Sequence, residues 1–155
     1  MITLEFKEVY NSFHNKIDAY DFLELTPEEI DAFEVDWLKT AGSKPYVRRL
    51  FSSYKFDKDS EVINFEMRYS VDEDADYDFV VEIMALGMCV EWLSPKVNSI
   101  DTIFQVYGSK EEKFYSQSSH LKEIRSLRDS WKNEQRKMIR DRGYCYNSYI
   151  EGYGD

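Results

Sequence analysis

Asp76-Tyr77-Asp78-Phe79-Val80-Val81-Glu82-Ile83-Met84-Ala85-Leu86-Gly87-Met88-Cys89-Val90-Glu91-Trp92-Leu93 is apolar at positions 77, 79–81, 83–86, 88–90 and 92–93. Wound as a helix, it has no broad polar face, and a helix that is hydrophobic nearly all round is a buried one. Two buried strands would show the same apolar density. Met84, Ala85, Leu86 and Met88 favour helix instead, and no turn pair interrupts the run. Asp78, Glu82 and Glu91 argue against a membrane span, each being costly in hydrocarbon. The stretch is therefore read as a central core helix, stopped by Ser94-Pro95.

Before the core helix, Phe6, Val9, Tyr10, Phe13 and Ile17 recur at helical spacing within the mixed segment 2–25, so a short amphipathic helix is expected there. Thr26-Pro27-Glu28-Glu29 is a helix start: Thr26 can cap, Pro27 suits the first helical position, and the glutamates favour the positive end of the dipole. Ile30, Phe33, Trp37 and Leu38 form its expected buried stripe, and Gly42 its end through a left-handed backbone. The period then changes from helical to alternating. Ile63, Phe65, Met67, Tyr69 and Val71 alternate with Asn64, Glu66, Arg68 and Ser70, a half-buried strand. Leu50 to Phe56 is the expected partner and Asp57-Lys58-Asp59-Ser60 the turn, giving a β-hairpin near 47–71. Asp72, Asp74 and Asp76 have the spacing of a calcium loop, but Tyr77 stands at its glycine position and Ile83 at its bidentate glutamate. Helix capping explains these acids better.

After the core helix, residues 94–99 read as a turn and Ile100 to Tyr107 as a short helix closed by Gly108. A long helix follows, from about Lys110 to Arg142. Leu121, Ile124, Leu127, Trp131 and Met138 mark its stripe, and Gly143 its cap. The expected fold is mainly α: a helical bundle around a buried central helix, with one β-hairpin insertion and a long C-terminal helix. Residues 1–143 form one domain, and 144–155 an extended tail.

The net charge of −10 over 155 residues disfavours binding of the whole surface to nucleic acid or anionic membrane. From His120 to Arg142, however, eight basic and four acidic residues leave +4, so the remainder carries −14. The acidic body can thus pair with a basic helix, its own or a neighbour's. Cys89 and Cys145 make neither a disulfide framework nor a metal spacing, and two free thiols suit a reducing cytoplasm. The start, Met1 to Lys7, lacks the basic and apolar regions of a signal peptide. Twelve tyrosines and ten phenylalanines suit partner contacts or a tyrosine-rich core rim. His14 and His120 lack acidic or cysteine partners at ligand spacing, and no phosphate loop or nucleophile elbow occurs. No catalytic residues, metal ligands or cofactor are therefore assigned, and the chain is not read as an enzyme. Lys122, Arg125, Arg128, Lys132, Arg136, Lys137, Arg140 and Arg142 can track phosphates, with Arg125, Arg128, Lys132, Arg136 and Arg140 the candidates to face a channel. Glu123, Asp129, Glu134 and Asp141 among them fit an ordinary solvated helix better. A DNA-lining role needs many copies around a channel.

Three stretches carry a resemblance: Glu91-Trp92-Leu93-Ser94-Pro95-Lys96-Val97-Asn98-Ser99; Gly108-Ser109-Lys110-Glu111-Glu112-Lys113-Phe114-Tyr115-Ser116-Gln117; and Ile139-Arg140-Asp141-Arg142-Gly143-Tyr144 with Asn147-Ser148-Tyr149. They look like a family of small virion proteins from the head–tail connector, or neck, of tailed phages and prophages of Firmicutes or gut bacteria. The resemblance covers residues 72–152, with 1–71 similar mainly in layout, and its motifs are not catalytic. It implies an adaptor made in the host cytoplasm and carried in the virion neck. Such an adaptor forms a homo-oligomeric ring that docks on the portal protein, contacts neighbouring connector or tail proteins, and continues the channel for packaged DNA without sequence specificity. No membrane is involved. The tail then becomes the docking segment, with Tyr144, Tyr146, Asn147, Tyr149 and Ile150 as its contacts. An extended aromatic tail gains area on binding at the cost of ordering entropy. The strand at Ile63–Val71 departs from a purely helical adaptor. The competing reading is an acidic phage-encoded inhibitor that mimics DNA and acts on a host factor; the acidic body favours it, the basic helix and tyrosine-rich tail oppose it.

Overall fold

The computed structural model describes residues 1–17, 26–107 and 111–144, with side chains at 1–17, 26–95 and 122–143. Its elements are β1 (Ile2–Glu5), α1 (Phe6–Lys16), α2 (Pro27–Ser43), α3 (Pro45–Arg48), β2 (Phe51–Asp57), β3 (Val62–Met67), α4 (Glu73–Tyr107) and α5 (Glu111–Tyr144). The fold is mainly α with a small antiparallel sheet, as the sequence leads one to expect.

Burial places α4 at the centre. Val80, Ile83, Met84, Ala85, Leu86, Met88 and Cys89 are all sealed from solvent, and α1, α2 and α5 pack around them. Asp72 caps the helix, its Oδ1 accepting from Ala75 N at 2.8 Å. Pro95 does not stop it: α4 continues to Tyr107, so the turn at 94–99 and the separate short helix are corrected to one helix. Proline removes one helical hydrogen bond and crowds the carbonyl four residues earlier. Pro95 is exposed, so water can reach the carbonyl it frees, and buried Leu93 holds the preceding turn in place. Ser94 also donates its hydroxyl to Val90 O at 2.7 Å.

The hairpin is present as β2 and β3, joined through Lys58–Glu61, with Glu61 in a left-handed conformation at φ 54°. It is two strands of three. β1, read as part of a mixed segment, pairs antiparallel with β3, Ile2 opposite Phe65 and Glu5 opposite Val62, in the order β1-β3-β2. Leu4, Ile63, Phe65 and Met67 face the core, whereas Tyr69 and Val71 lie beyond β3 and are exposed.

In α2 the start is as expected. Thr26 Oγ1 accepts from Glu29 N at 3.3 Å and Glu29 Oε2 accepts from Thr26 N at 3.1 Å, a capping box. The buried face is rotated from the expected stripe: Glu34, Leu38, Ala41 and Gly42 point inward, and Phe33 is exposed, stacked on Trp37. Gly42 is not a left-handed cap. It lies inside the helix, where a Cβ would collide with the Tyr54 hydroxyl. Its carbonyl accepts from Arg48 Nε at 2.8 Å, and the Arg48 guanidinium lies 3.8 Å above the Tyr54 ring.

Helix α5 runs antiparallel to α4, with Arg142 beside Asp76, Gln135 beside Ile83 and Trp131 beside Trp92. Its inward residues are Trp131, Gln135 and Ile139; Leu127, assigned to the stripe, is exposed. Gly143 does not end the helix, which includes Tyr144, and a Cβ on Gly143 would meet nothing within 4 Å.

Candidate functional site

The charges of α5 separate once the helix is wound. With 3.6 residues per turn, Arg125, Arg128, Lys132, Arg136 and Arg140 fall along one face, interrupted only by Asp129. Glu123, Glu134 and Asp141 gather on another. Trp131, Gln135 and Ile139 hold the inward face between the two, so the basic face runs beside the core seam. Arg125, Arg136 and Arg140 are exposed, and Arg128 and Lys132 half-buried. Arg128 approaches Asp129 at only 3.6 Å, and its Nε is buried without a hydrogen bond. Residues adjacent on a helix do not face each other, which accounts for that poor pairing.

Lys132 and Arg136 also line a cleft of about 390 Å³ between α2, α4 and α5. Across it, Lys44 pairs with Glu91 at 3.2 Å. At the cleft Gly87 lets α4 approach α2: a Cβ there would lie 2.8 Å from Ala41 Cβ and 3.2 Å from Gln135 Nε2. Gln135, buried, donates from Nε2 to Ile83 O at 2.8 Å and accepts from the Tyr46 hydroxyl at 3.5 Å.

Two polar groupings escaped the sequence reading. Asp76, expected only as a helix-start acid, is 2% exposed and forms an ion pair with Arg142. It also accepts from the Ser70 hydroxyl at 2.6 Å and Val71 N at 3.0 Å. Burial pushes its carboxyl up, but Ser70, Val71 and Arg142 outweigh that and hold it below the ordinary carboxylate range. The second grouping joins α1 to α2. His14, for which the spacing indicated no acidic partner, contacts the carboxylate of Glu34, which is 2% exposed. Burial, opposed by His14, holds the Glu34 carboxyl above its ordinary range. The neighbouring Tyr10 hydroxyl is buried without a hydrogen-bond partner, and burial together with Glu34 raises its pKa. Both pairings bridge residues far apart in the chain, where no local spacing can signal them.

Among the residues assigned to partner docking, Tyr144 closes α5; Tyr146, Asn147, Tyr149 and Ile150 lie outside the described residues. Cys89 is sealed in the core, and burial pushes its thiol up to about 12. Among the described residues no three metal-ligating side chains gather, and no helix is long and apolar enough to cross a membrane. Comparison with known protein families, characterised proteins and solved structures found no match to this chain.

Proposed function

We infer that this chain is a non-catalytic virion component, a connector adaptor that repeats as a ring on the portal protein and continues the DNA channel towards the tail. The observation that carries the reading is the segregated charge of α5. From Arg125 to Arg140 its basic face extends about 22 Å at 1.5 Å per residue, with Asp129 on it and Glu123, Glu134 and Asp141 turned elsewhere. In a ring of copies, such faces present rows of cations that contact phosphates without reading sequence. Further support comes from the resembling stretches, which fall around Pro95 in α4, across the α4–α5 connection and at the end of α5. The basic residues assigned to the channel are Arg125, Arg128, Lys132, Arg136 and Arg140. The segment that engages the portal is the tail, with Tyr144, Tyr146, Asn147, Tyr149 and Ile150.

A second reading, an acidic inhibitor of a host factor, draws on the exposed Asp72, Glu73, Asp74 and Asp78 around the start of α4. Quantitative mass spectrometry of purified particles separates the two. The adaptor is expected at a fixed ratio to the portal. Its absence from particles that contain the portal overturns the connector reading and favours the inhibitor.

A further inference from the structure

The cleft between α2, α4 and α5 has a charge imbalance of its own. Lys132 and Arg136, one turn apart on α5, line it, and neither forms an ion pair among the described residues. Lys44 reaches in from the end of α2, its ammonium shared with Glu91, the one carboxylate among the described lining residues. Like charges one helical turn apart repel, and a concave wall focuses their field on whatever occupies the space. The volume, about 390 Å³, falls in the size class of small-ligand sites, roughly 300–1,000 Å³.

A guanidinium matches phosphate oxygens with paired donors, and an ammonium adds a compact charge with three. We propose that this cleft binds a phosphate group, held by Arg136 and Lys132, with Lys44 shared between the phosphate and Glu91. Tyr46 supplies a further donor, because its present bond to Gln135 Oε1 is long at 3.5 Å. Ser94 does not, since its hydroxyl is committed to Val90 O at 2.7 Å. The phosphate belongs either to a nucleic-acid backbone or to a small free molecule; the recognising chemistry is the same. The site shares Lys132 and Arg136 with the basic face assigned to the channel, but it does not rest on the connector reading, and absence of the chain from virions leaves it untouched.

Isothermal titration of the intact chain with inorganic phosphate tests it. Saturable binding at one site per chain is expected. Arg136→Gln or Lys132→Gln should weaken it by about tenfold or more, as loss of a charge-assisted donor implies. Lys137→Gln, an exposed cation of α5 outside the cleft, should change it little. Amide NMR shifts of the unsubstituted chain, concentrated at Ala41, Gly87 and Val90 on phosphate addition, locate the site independently of any variant. Random-sequence duplex DNA is then added to the phosphate-saturated protein. Displacement of phosphate assigns the cleft to backbone phosphates, and no displacement assigns it to a small phosphorylated ligand. The proposal is overturned if the intact chain shows no saturable binding. It is equally overturned if Arg136→Gln and Lys137→Gln weaken binding alike, or if the amide shifts fall elsewhere.

Discussion

Arg142 and Asp76 show how much one pair can decide, because they tie the end of α5 to the start of α4 where both are nearly sealed from water. Removing one partner of a buried pair strands the other charge, a loss of about 3–5 kcal/mol. Asp76→Ala is expected to lower stability by that order in urea denaturation, far more than an exposed control such as Asp74→Ala. The depressed Asp76 carboxyl also sets a sign. Its contribution is present above the ordinary value of 3.8 and is lost as pH falls through the lower folded value. The acid limb of the stability curve should therefore be shallower in Asp76→Ala. Glu34 runs the other way. Its raised carboxyl contributes fully below 4.5, and that contribution is lost as pH rises through the folded value. Glu34→Gln should consequently flatten the change in urea midpoint between pH 4.5 and neutrality; an unchanged slope would refute the assignment.

Among the elements, those with a clean period were legible. The alternation at Ile63 to Met67 gave β3, the Thr26–Glu29 box gave the start of α2, and the all-round apolar run gave α4. Where the reading missed, a distant partner had overruled a local signal. β1 alternates over only four residues and passes directly into α1, with no turn to announce it. On α2, hydrophobicity favoured Phe33, yet Glu34 is the inward residue because α1 brings His14 to it. Gly42 carried a cap signal in sequence, and only the fold brings Tyr54 against it. The basic residues of the candidate site were legible by number, but their separation from the acids appears only when the helix is wound. Lys44 and Glu91 reach the cleft from other elements. Gly87 lies within the apolar run of α4, where its lack of a Cβ lets Ala41 of α2 approach. Gly87→Ala should force α2 and α4 apart and cost about 1–3 kcal/mol, as overpacked cores do. Ala41→Gly in the same chain should recover part of the loss in thermal melting, since it removes the facing Cβ.

At the scale of the molecule, the proposed adaptor divides its tasks between a core built around α4 and the docking tail assigned to residues 144–155. If the tail only docks, deleting residues 145–155 should leave circular dichroism and melting temperature nearly unchanged, because docking alone adds nothing to the fold of the isolated chain. Co-sedimentation with portal assemblies should be lost, and sharply, because repetition around a ring multiplies a weak contact. Undiminished co-sedimentation would remove the tail from the docking surface. Loss of the helical signal would make it part of the fold.

The pairing of Ile2 with Phe65 has a consequence for the protein during its own synthesis. Ribosomes add about 5–20 residues per second, so β1 leaves the tunnel roughly 3–13 seconds before the strand that will flank it. Even then the centre stays open, because Trp131, Gln135 and Ile139 arrive last of all. Any product released before α5 is made presents the bare side of α4, sealed in the finished chain. Translational pausing ahead of α5 would thus lengthen the interval in which the nascent protein is prone to aggregate.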